Sequence, residues 1–351
     1  MIINSIFRKY TVSIFTDFSF FEEISKIKNK FFIIDKKVYE LYKDVLDKLI
    51  DSDVFFVNAI EANKTEKTAF EAINEIVKLP TKRNTNLIVI GGGIVQDVSC
   101  FVSSVLYRGI SWHFIPTTLL AQADSCIGSK SSLNYEHYKN LIGTFYPPEA
   151  IYISTSFLPT LEYRDFLSGI GEMFKCALMA GKEAFYETSA HLDKILQKDN
   201  GTLVFEINKA LSFKKKVIEI DEFDRDYRNI MNYGHTFGHA LESNSNFAIP
   251  HGQAVSIGIL IANEISMQRG ILRDDYAFDI FKSLVRVISN ELLQKSHFSE
   301  NLISIMKKDK KFAGLTHTCI LLDNNKINKC LDVTDDEIRQ ALDSIVKKLL
   351  I

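Results

Sequence analysis

The chain has 351 residues, of which 46% are hydrophobic and 25% are charged, and its formal net charge at pH 7 is -2. This length and balance predict a globular protein of two domains, because single cores stop growing below roughly 300 residues. The near-neutral charge excludes the basic footprint of a nucleic-acid-binding protein and an electrostatic attraction to anionic membranes.

The cysteine pattern and the apolar segments indicate a cellular location. Five cysteines without a CxxC pair argue against a disulfide framework and for reduced thiols. No basic segment precedes an apolar run near Met1, so we expect no signal peptide. The most apolar long segment, 252–269, contains Glu264 and Arg269 and is too interrupted to span a bilayer. We therefore expect a cytoplasmic protein with no membrane partner.

Short apolar runs alternate with helical patterns over about the first 155 residues. The predicted buried strands are 31–35, 54–57, 87–90, 112–115 and 151–154. The predicted helices between them are 37–50, 65–79 and 94–107. Alternation of this kind is typical of βαβ units around a parallel sheet.

From about residue 160 onward, long apolar-periodic segments replace the alternation, and few runs are strand-like. The predicted helices are 161–180, 183–197, 202–220, 226–245 and 252–269. We therefore predict an α/β, Rossmann-like domain with a parallel sheet over residues 1–160. A mostly α-helical domain is predicted to follow it over residues 161–351.

A glycine-rich turn from Gly91 to Asp97 (GGGIVQD) follows a predicted strand and opens a predicted helix. Glycines let the backbone approach a phosphate, and a helix N-terminus offers free N–H groups and partial positive charge. Three glycines alone are equally consistent with a tight strand-to-helix turn. The next strand ends at Thr117 and Thr118, whose hydroxyls suit a ligand in the crevice of an open sheet. Together these features favour a dinucleotide site.

Several groups capable of chemistry lie on two predicted helices, Glu172 with Lys175 on one and His235 with His239 on another. Imidazoles one helical turn apart share a face, where they can hold a metal or bind an anionic substrate. With His251, which follows a short loop, Glu172 and His235 offer one oxygen and two nitrogens. Such a set suits a catalytic zinc. Without an HExxH motif, spacing alone does not decide whether these histidines hold a metal or bind an anionic substrate.

A further set of basic residues lies near predicted loop and helix ends, where cations could converge on a carboxylate or a phosphate. These residues are Lys130, Lys139, Lys175, Lys214, Arg228, Lys310 and Lys311. Most of the 42 Lys and Arg residues are expected at the solvated surface, and spacing alone does not show which ones converge.

With these residues the chain resembles the 3-dehydroquinate synthase family of sugar phosphate cyclases, from about Asp35 to Lys311. The motifs are Gly91-Gly-Gly with Asp97, Arg108-Gly, 116–125 (PTTLLAQADS), 139–143 (KNLIG), Glu172-x-x-Lys175, 232–242 (NYGHTFGHALE) and His251-Gly. The resemblance implies the dehydroquinate synthase-like fold, an α/β nucleotide domain joined to a helical domain, and a homodimer.

The resemblance also implies an activity, that of an NAD- and metal-dependent lyase of the shikimate pathway, with zinc or cobalt as the metal. The implied small-molecule substrate is the sugar phosphate 3-deoxy-D-arabino-heptulosonate 7-phosphate. In this family a ring hydroxyl is oxidised by bound NAD, phosphate is eliminated, and the ketone is reduced again. Ring opening and aldol closure then give the carbocycle, and NAD is regenerated in each turnover.

Residue by residue, the resemblance implies four groups of site residues. Glu172, His235 and His251 match the zinc ligands. Residues that bind the carboxylate and phosphate ends are matched by Lys130, Asn140, Arg228 and Lys310. Other residues of the substrate pocket are matched by Asp124, Lys175, Lys214, Asn232 and His239. The NAD contacts are matched by Asp35, Glu61, Lys64, Gly92, Gly93, Asp97, Thr117, Thr118, Lys139 and Thr160.

The chain departs from the family pattern at several positions. Gln96 and Ser129 each stand where a glycine is usual, one in the nucleotide turn and the other in the loop before Lys130. Gln253 stands where an acid is usual. None of these departures removes a residue that matches a metal ligand.

Other functions are compatible with parts of this pattern. Related cyclases make 2-deoxy-scyllo-inosose, valiolone-type rings or the amino analogue of dehydroquinate. Cyclases that bind no carboxylate tend to have other residues at the positions that match Arg228 and Asn232, both of which are present here. A site built for a carboxylate discriminates against substrates without one, which favours the dehydroquinate reaction. A metal-dependent alcohol or glycerol dehydrogenase would carry an Asp-plus-His metal set, and a non-catalytic paralogue would have lost ligands.

Overall fold

A computed structural model describes residues 1–136, 138–290, 298, 300–307, 316–324 and 326–349 of the chain. The chain divides into two compact units, the first containing Met1–Leu161 and Lys198–Phe223, the second Glu162–Gln197 and Asp224–Ile351. The segment 198–223 thus belongs to the first unit, whereas a single boundary at residue 160 would place it in the second. Among the described residues, no helix is long and apolar enough to cross a membrane.

The strands and helices are numbered in chain order. The strands are β1 (Ile2–Asn4), β2 (Lys9–Phe15), β3 (Lys30–Asp35), β4 (Val54–Val57), β5 (Asn86–Gly91), β6 (Ser111–Pro116), β7 (Leu133–Tyr135), β8 (Tyr138–Ile142), β9 (Ala150–Ser154), β10 (His317–Asp323) and β11 (Lys326–Val333). The helices are α1 (Phe21–Ser25), α2 (Lys36–Leu41), α3 (Lys43–Leu46), α4 (Glu66–Ile76), α5 (Gly93–Val105), α6 (Tyr163–Ala180), α7 (Lys182–Leu196), α8 (Asn200–Ile220), α9 (His235–Asn244), α10 (His251–Gln268), α11 (Asp274–Leu284), α12 (Glu300–Lys307) and α13 (Asp335–Leu349).

A seven-stranded sheet forms the centre of the first unit, in the order β1-β2-β9-β6-β5-β3-β4. Every neighbouring pair is parallel except β1 with β2. Strands of parallel sheets are covered on both faces and are therefore apolar at nearly every position. Accordingly, all of β9 is buried, as are 30–34 of β3 and 87–91 of β5. The five predicted strands are confirmed as β3, β4, β5, β6 and β9.

The helices of the first unit follow the prediction with one exception. The predicted helices 65–79 and 94–107 are confirmed as α4 and α5. The predicted helix 37–50 is instead two short helices, α2 and α3, separated at Tyr42, which has φ -120° and ψ 24°. The Tyr42 ring packs edge-on against Phe157, with 5.0 Å between the ring centroids. This contact with the aromatic core holds Tyr42 where the helical path breaks.

The second unit is mostly helical, as predicted, and α10 is its central helix. Residues 252–266 of α10 are all buried, because α6, α9, α11, α13 and β10 surround the helix. A helix enclosed in this way is apolar on every side. The predicted helix 226–245 is broken. Tyr227–Asn232 forms a 3₁₀ segment, and α9 begins only after Gly234, whose φ of +78° is left-handed. An antiparallel hairpin of β10 and β11, which was not predicted, completes the unit.

Glycines allow α6 and α9 to touch the backbone of α10. A Cβ added to Gly258 of α10 would lie 2.0 Å from Gly234 O, at the start of α9. A Cβ added to Gly252 would lie 1.8 Å from Ser168 O of α6. Neither carbonyl belongs to a flexible side chain that could move aside. A side chain at either position would therefore separate two helices that the native packing holds together.

Replacing Gly258 with alanine is expected to lower the free energy of unfolding of the second unit by about 1–3 kcal/mol, because overpacking forces backbone shifts. Denaturant titration measures this loss. The control is Gly201→Ala on α8, where the added Cβ would have Asp199 Oδ1 as its nearest neighbour, at 3.8 Å. That variant is expected to match the wild type or to be about 0.5–1 kcal/mol more stable, because alanine suits a helix better than glycine. Equal stability of Gly258→Ala and the wild type would contradict the packing argument.

Candidate active site

The carboxyl edge of the sheet brings together several residues predicted to contact a nucleotide. After β3 the chain runs outward to β4, then returns to β5 on the other side of β3. Strand order thus reverses between β3 and β5, and open α/β sheets bind ligands outside the strand ends at such a point. Asp35 ends β3, Gly92 and Gly93 follow β5, and Thr117 follows β6. These predicted residues therefore lie at the edge of the sheet where a ligand is expected.

The glycine turn is packed closely against the residues that follow β6. Gly92 is the N-cap of α5, and a Cβ added to it would lie 2.9 Å from Thr118 Cγ2. Thr118 Oγ1 in turn accepts a hydrogen bond from Ala121 N at 3.2 Å. A larger residue at position 92 would displace Thr118. The glycine therefore keeps the helix N-terminus and the threonines together, where backbone N–H groups and hydroxyls can bind a phosphate.

Gln96, one of the departures from the family pattern, directs its side chain at Ser125. Its Nε2 donates to Ser125 O, and its Oε1 accepts from Ser125 Oγ, both at 2.7 Å. The Gln96 side chain thus links α5, to which it belongs, with the π-helical turn Ala121–Ser125. These two bonds satisfy both ends of a buried amide and connect the nucleotide turn with the segment that carries Asp124.

Two polar networks hold other predicted NAD residues. Lys64 Nζ lies 2.7 Å from Asp97 Oδ2, and Asp97 also accepts from the backbone N and hydroxyl of Ser132, at 2.9 and 3.1 Å. Burial raises the pKa of Asp97, against the opposing effects of Lys64 and Ser132. In the second network, Glu61 Oε1 accepts from Asn134 Nδ2 at 2.9 Å and lies 3.3 Å from Lys139 Nζ.

The remaining predicted residues of the first unit lie in separate contacts. Asp35 caps α2 by accepting from Lys37 N at 3.0 Å, and burial raises its pKa. Thr160 Oγ1 donates to the Tyr42 hydroxyl at 2.8 Å. Asn140 N donates to Asn134 Oδ1 at 3.0 Å. Among the predicted substrate residues, Lys214 Nζ lies 3.0 Å from Asp124 Oδ1 and also donates to Asp124 O at 2.7 Å.

In the second unit, Glu172 of α6 lies between two histidines. Its Oε1 is 3.9 Å from His235 Nε2 and 3.7 Å from His251 Nε2. Glu172 is 0% exposed, and its Oε2 forms an ion pair with Lys175. No hydrogen-bond donor in the described part of the chain reaches Oε1. A fully buried carboxylate oxygen without a donor is costly unless a cation is bound to it.

This arrangement fits a divalent metal. Two bonds of about 2.1 Å at a tetrahedral angle place the donor atoms about 3.4 Å apart, a few tenths of an ångström less than the separations found. His235 Nδ1 lies 3.2 Å from Tyr233 O, and His251 Nδ1 lies 3.1 Å from Glu242 Oε2. Because both partners accept, each Nδ1 carries the proton, and the lone pair of each Nε2 is available to a metal.

The two histidines beside Glu172 differ in basicity. Burial lowers the pKa of His235 well below its usual value, and the charge of Lys175 lowers it further. Burial opposes the charged form of His251 too, but the hydrogen bond and charge of Glu242, with the charge of Glu172, raise its pKa. His235 is therefore ready to bind a metal at neutral pH. Proton competition for the metal falls mainly on His251.

His239 also lies within this cluster. One ring nitrogen from each of His235, His239 and His251 can be chosen so that all three lie within 4.8 Å of one another. The His239 side chain is exposed, whereas Glu172 is fully buried. The geometry thus presents two possible three-residue sets, one with Glu172 and one with His239. Burial favours Glu172 as the ligand and leaves His239 accessible to a substrate.

The other predicted residues described in this unit lie on α6 or in the segment that precedes α9. Lys175 lies one turn from Glu172 on α6, and Arg228 and Asn232 lie in the 3₁₀ segment before α9. Arg228 is buried, and Asn232 Nδ2 donates to Asn229 O at 3.1 Å. Lys310 lies outside the described residues.

Some residues of the site were not predicted. Glu242 orients His251, and Ser132 and Asn134 complete the networks around Asp97 and Glu61. Glu242 lies seven residues after His235, which places both on one face of α9. That spacing was a usable signal for Glu242. Ser132 and Asn134 lie in a loop and in the short strand β7, where no periodicity points to them.

Solved structures share the fold of this chain. A 2-deoxy-scyllo-inosose synthase complexed with carbaglucose-6-phosphate, NAD+ and Co2+ has a TM-score of 0.83 at 22% identity, covering 97% of this chain and 98% of that one. A 2-epi-5-epi-valiolone synthase from Streptomyces hygroscopicus subsp. jinggangensis 5008, with NAD+ and Zn2+ bound, has a TM-score of 0.79 at 22% identity and covers 97% of both chains. The fold is that of the sugar phosphate cyclases.

Sequence comparison identifies the family within this class. The family model of the 3-dehydroquinate synthase N-terminal region matches residues 54–168, and that of the C-terminal region matches residues 169–312. The 3-dehydroquinate synthase of Clostridium tetani is 36% identical over 328 residues, covering 92% of this chain and 87% of the relative. The chain belongs to the 3-dehydroquinate synthase family.

Replacing Glu242 with glutamine is expected to weaken zinc binding about 10–100-fold, because partners that orient a metal-binding histidine contribute about this much to affinity. Glutamine keeps an acceptor for His251 Nδ1 but removes the charge. Calorimetric titration of the metal-free protein with zinc measures the effect. Glu183→Gln, at an exposed position on α7 of the same unit, is the control and should bind zinc like the wild type. Equal zinc affinity in both variants would show that Glu242 does not orient a ligand.

Proposed function

We propose that the protein converts 3-deoxy-D-arabino-heptulosonate 7-phosphate to 3-dehydroquinate and phosphate, as an NAD- and metal-dependent carbon–oxygen lyase of the shikimate pathway. The observation that carries the proposal is the approach of His235 and His251 to the buried carboxylate of Glu172 in a chain of this family. When bound, NAD supplies reversible removal of a hydride from a substrate hydroxyl, and zinc or cobalt polarises that hydroxyl.

The proposed metal ligands are Glu172, His235 and His251. Glu172 contributes a buried carboxylate, one oxygen of which forms an ion pair with Lys175. The two imidazoles contribute neutral nitrogens whose orientation is set by Tyr233 O and Glu242. His239, which is exposed on the same face of α9, is proposed to contact the phosphate or to transfer a proton.

Residues in each unit are proposed to bind the substrate. In the second unit, Arg228 offers a buried guanidinium, which binds carboxylates in a bidentate manner. Asn232 and Lys175 lie in the same unit and match further substrate residues of the family. In the first unit the proposed substrate residues are Asp124, Lys130, Asn140 and Lys214. Lys310 is proposed for the same role by resemblance alone.

NAD is proposed to bind at the carboxyl edge of the sheet in the first unit. The reversal of strand order between β3 and β5 and the glycine turn before α5 support this placement. The proposed contacts are Asp35, Glu61, Lys64, Gly92, Gly93, Asp97, Thr117, Thr118, Lys139 and Thr160. A cytoplasmic location and a homodimeric state stay predictions.

Incubation with the heptulosonate phosphate, catalytic NAD and zinc is expected to release phosphate without accumulation of NADH, because the hydride returns to the substrate within each turnover. A phosphate assay and NADH absorbance, recorded together, measure this balance. Sustained accumulation of NADH would instead indicate a dehydrogenase. A sugar phosphate without the carboxylate is the control substrate. Its kcat/KM is expected to be lower by on the order of 10⁴-fold, because it would leave buried polar groups unpaired. Preference for that substrate would indicate a different cyclase.

The two possible ligand sets, one with Glu172 and one with His239, predict loss of the metal in different variants. We expect Glu172→Gln and His251→Ala to lose bound zinc together with turnover. We expect His239→Asn to retain zinc and to lose only turnover, since an exposed residue beside the metal serves the substrate. Zinc content of purified proteins, measured by mass spectrometry, separates these outcomes. His191→Ala, a histidine of α7 outside the cluster, is the control. Zinc loss in His239→Asn with full retention in Glu172→Gln would replace Glu172 by His239 in the ligand set.

A further inference from the structure

The loop that carries Lys130 contains a strained turn. Gly128 O accepts a hydrogen bond from Lys130 N at 2.8 Å, which closes a three-residue γ-turn with Ser129 at its centre. Ser129 has φ +60°, in the left-handed region. γ-Turns with a positive φ are rare, and a residue with a Cβ adopts this conformation only when surrounding contacts hold it there. A glycine, which is usual in the family at this position, would adopt it without strain.

The Ser129 side chain makes the contact that compensates for this strain. Its hydroxyl donates to Glu222 Oε1, and both residues are 7% exposed. The same carboxylate accepts from Ser5 Oγ at 2.7 Å and from Ile6 N at 2.8 Å. Hydrogen bonds to a carboxylate are stronger than those between neutral groups. Glu222, just beyond the end of α8, is thus anchored by the N-terminal segment and holds the turn from one side.

The backbone on both sides of Lys130 is also fixed. Ser129 O accepts from Tyr146 N at 2.7 Å, and Ser131 N donates to Thr144 O at 2.8 Å. The Lys130 side chain itself is exposed. A rotation of the Ser129 peptide would change the direction in which Lys130 leaves the backbone, because the turn immediately precedes it. The direction of the Lys130 side chain thus depends on these backbone hydrogen bonds, on the Phe145 ring, whose centroid lies 5.9 Å from Lys130 Nζ, and on the buried contact between Ser129 and Glu222.

We propose that Glu222 is a positioning residue for the substrate. By accepting the Ser129 hydroxyl it holds the γ-turn, and the γ-turn directs the Lys130 ammonium group to an anionic end of the sugar phosphate. The role of Lys130 rests on the proposed function. The dependence of the turn on the Ser129–Glu222 contact does not.

Two substitutions at position 129 separate the turn from the hydroxyl. Ser129→Ala keeps the strain of a Cβ and loses the hydrogen bond, and it is expected to raise KM for the heptulosonate phosphate about tenfold or more, with little change in kcat or in NAD affinity. Ser129→Gly loses the same hydrogen bond but also the strain, and its KM is expected to stay within about threefold of the wild type. Equal losses in both variants would show that the substrate needs the hydroxyl itself and would overturn the proposal.

Ser5→Ala is the matched control, because it removes another donor to Glu222 without touching the turn. We expect its KM to equal that of the wild type. A loss as large as that of Ser129→Ala would show that the rise in KM does not arise at the turn, and it would overturn the proposal. In a Lys130→Ala background, Ser129→Ala is expected to cause no further rise in KM, because its effect passes through Lys130. An additive rise would contradict this route.

Hydrogen–deuterium exchange of the peptide containing Lys130 tests the turn without reference to activity. The Lys130 amide is expected to exchange faster in Ser129→Ala than in the wild type, with Ser129→Gly in between or unchanged. Exchange in Ser129→Ala that equals the wild type would overturn the proposal. If the wild type released no phosphate from the heptulosonate phosphate, the proposed function would fail, and the exchange result would still decide the role of Glu222.

Discussion

The cluster of Glu172, His235 and His251 in the second unit, which we propose as the metal site, depends on direct backbone contact between helices. Packed helix axes ordinarily lie 8–10 Å apart, with side chains between them. At Gly258 and Gly252 the space of a Cβ is taken by a carbonyl of the neighbouring segment. This contact brings Glu172 on α6 and His235 on α9 to His251, the first residue of α10. Side chains at the two glycines would separate the helices, and the nitrogen and oxygen atoms could no longer share one cation.

The same close approach explains how the unit tolerates a fully buried carboxylate. An isolated buried charge is costly, so Glu172 requires cationic or polar groups within contact distance. Lys175, one turn along the same helix, forms an ion pair with one oxygen, and two imidazole nitrogens lie within 3.9 Å of the other. Packing and electrostatics are therefore coupled in this unit, because the helices must touch for the charge to be stabilised.

The sequence predicted the elements whose signal is local and missed those that depend on distant contacts. Buried parallel strands such as β5 are recognisable because helices on both faces make every position apolar. The break before α9 was missed because the apolar period continues through Gly234, and only its left-handed φ separates the 3₁₀ segment from the helix. The hairpins β7–β8 and β10–β11 were missed because β7 and β8 are short and β11 is largely exposed. The assignment of α8 to the first unit could not be predicted either. Periodicity shows that a helix has an apolar face but not which core that face covers.

The site followed the same division. Glu172, His235 and His251 drew attention by their chemistry and spacing and stay the predicted metal ligands, whereas Glu242 reaches His251 across a nine-residue separation that includes a loop. The departures from the family pattern could not be interpreted from sequence, because their effect depends on neighbours supplied by the fold. Gln96 gains two hydrogen bonds from Ser125, and Ser129 gains one from Glu222. Gln96 lies in the first turn of α5 and Ser129 at the centre of the γ-turn, and each stands where a glycine is usual and brings a polar group that the fold satisfies. None of these polar groups is left without a hydrogen bond, so neither position carries the cost of an unsatisfied buried group.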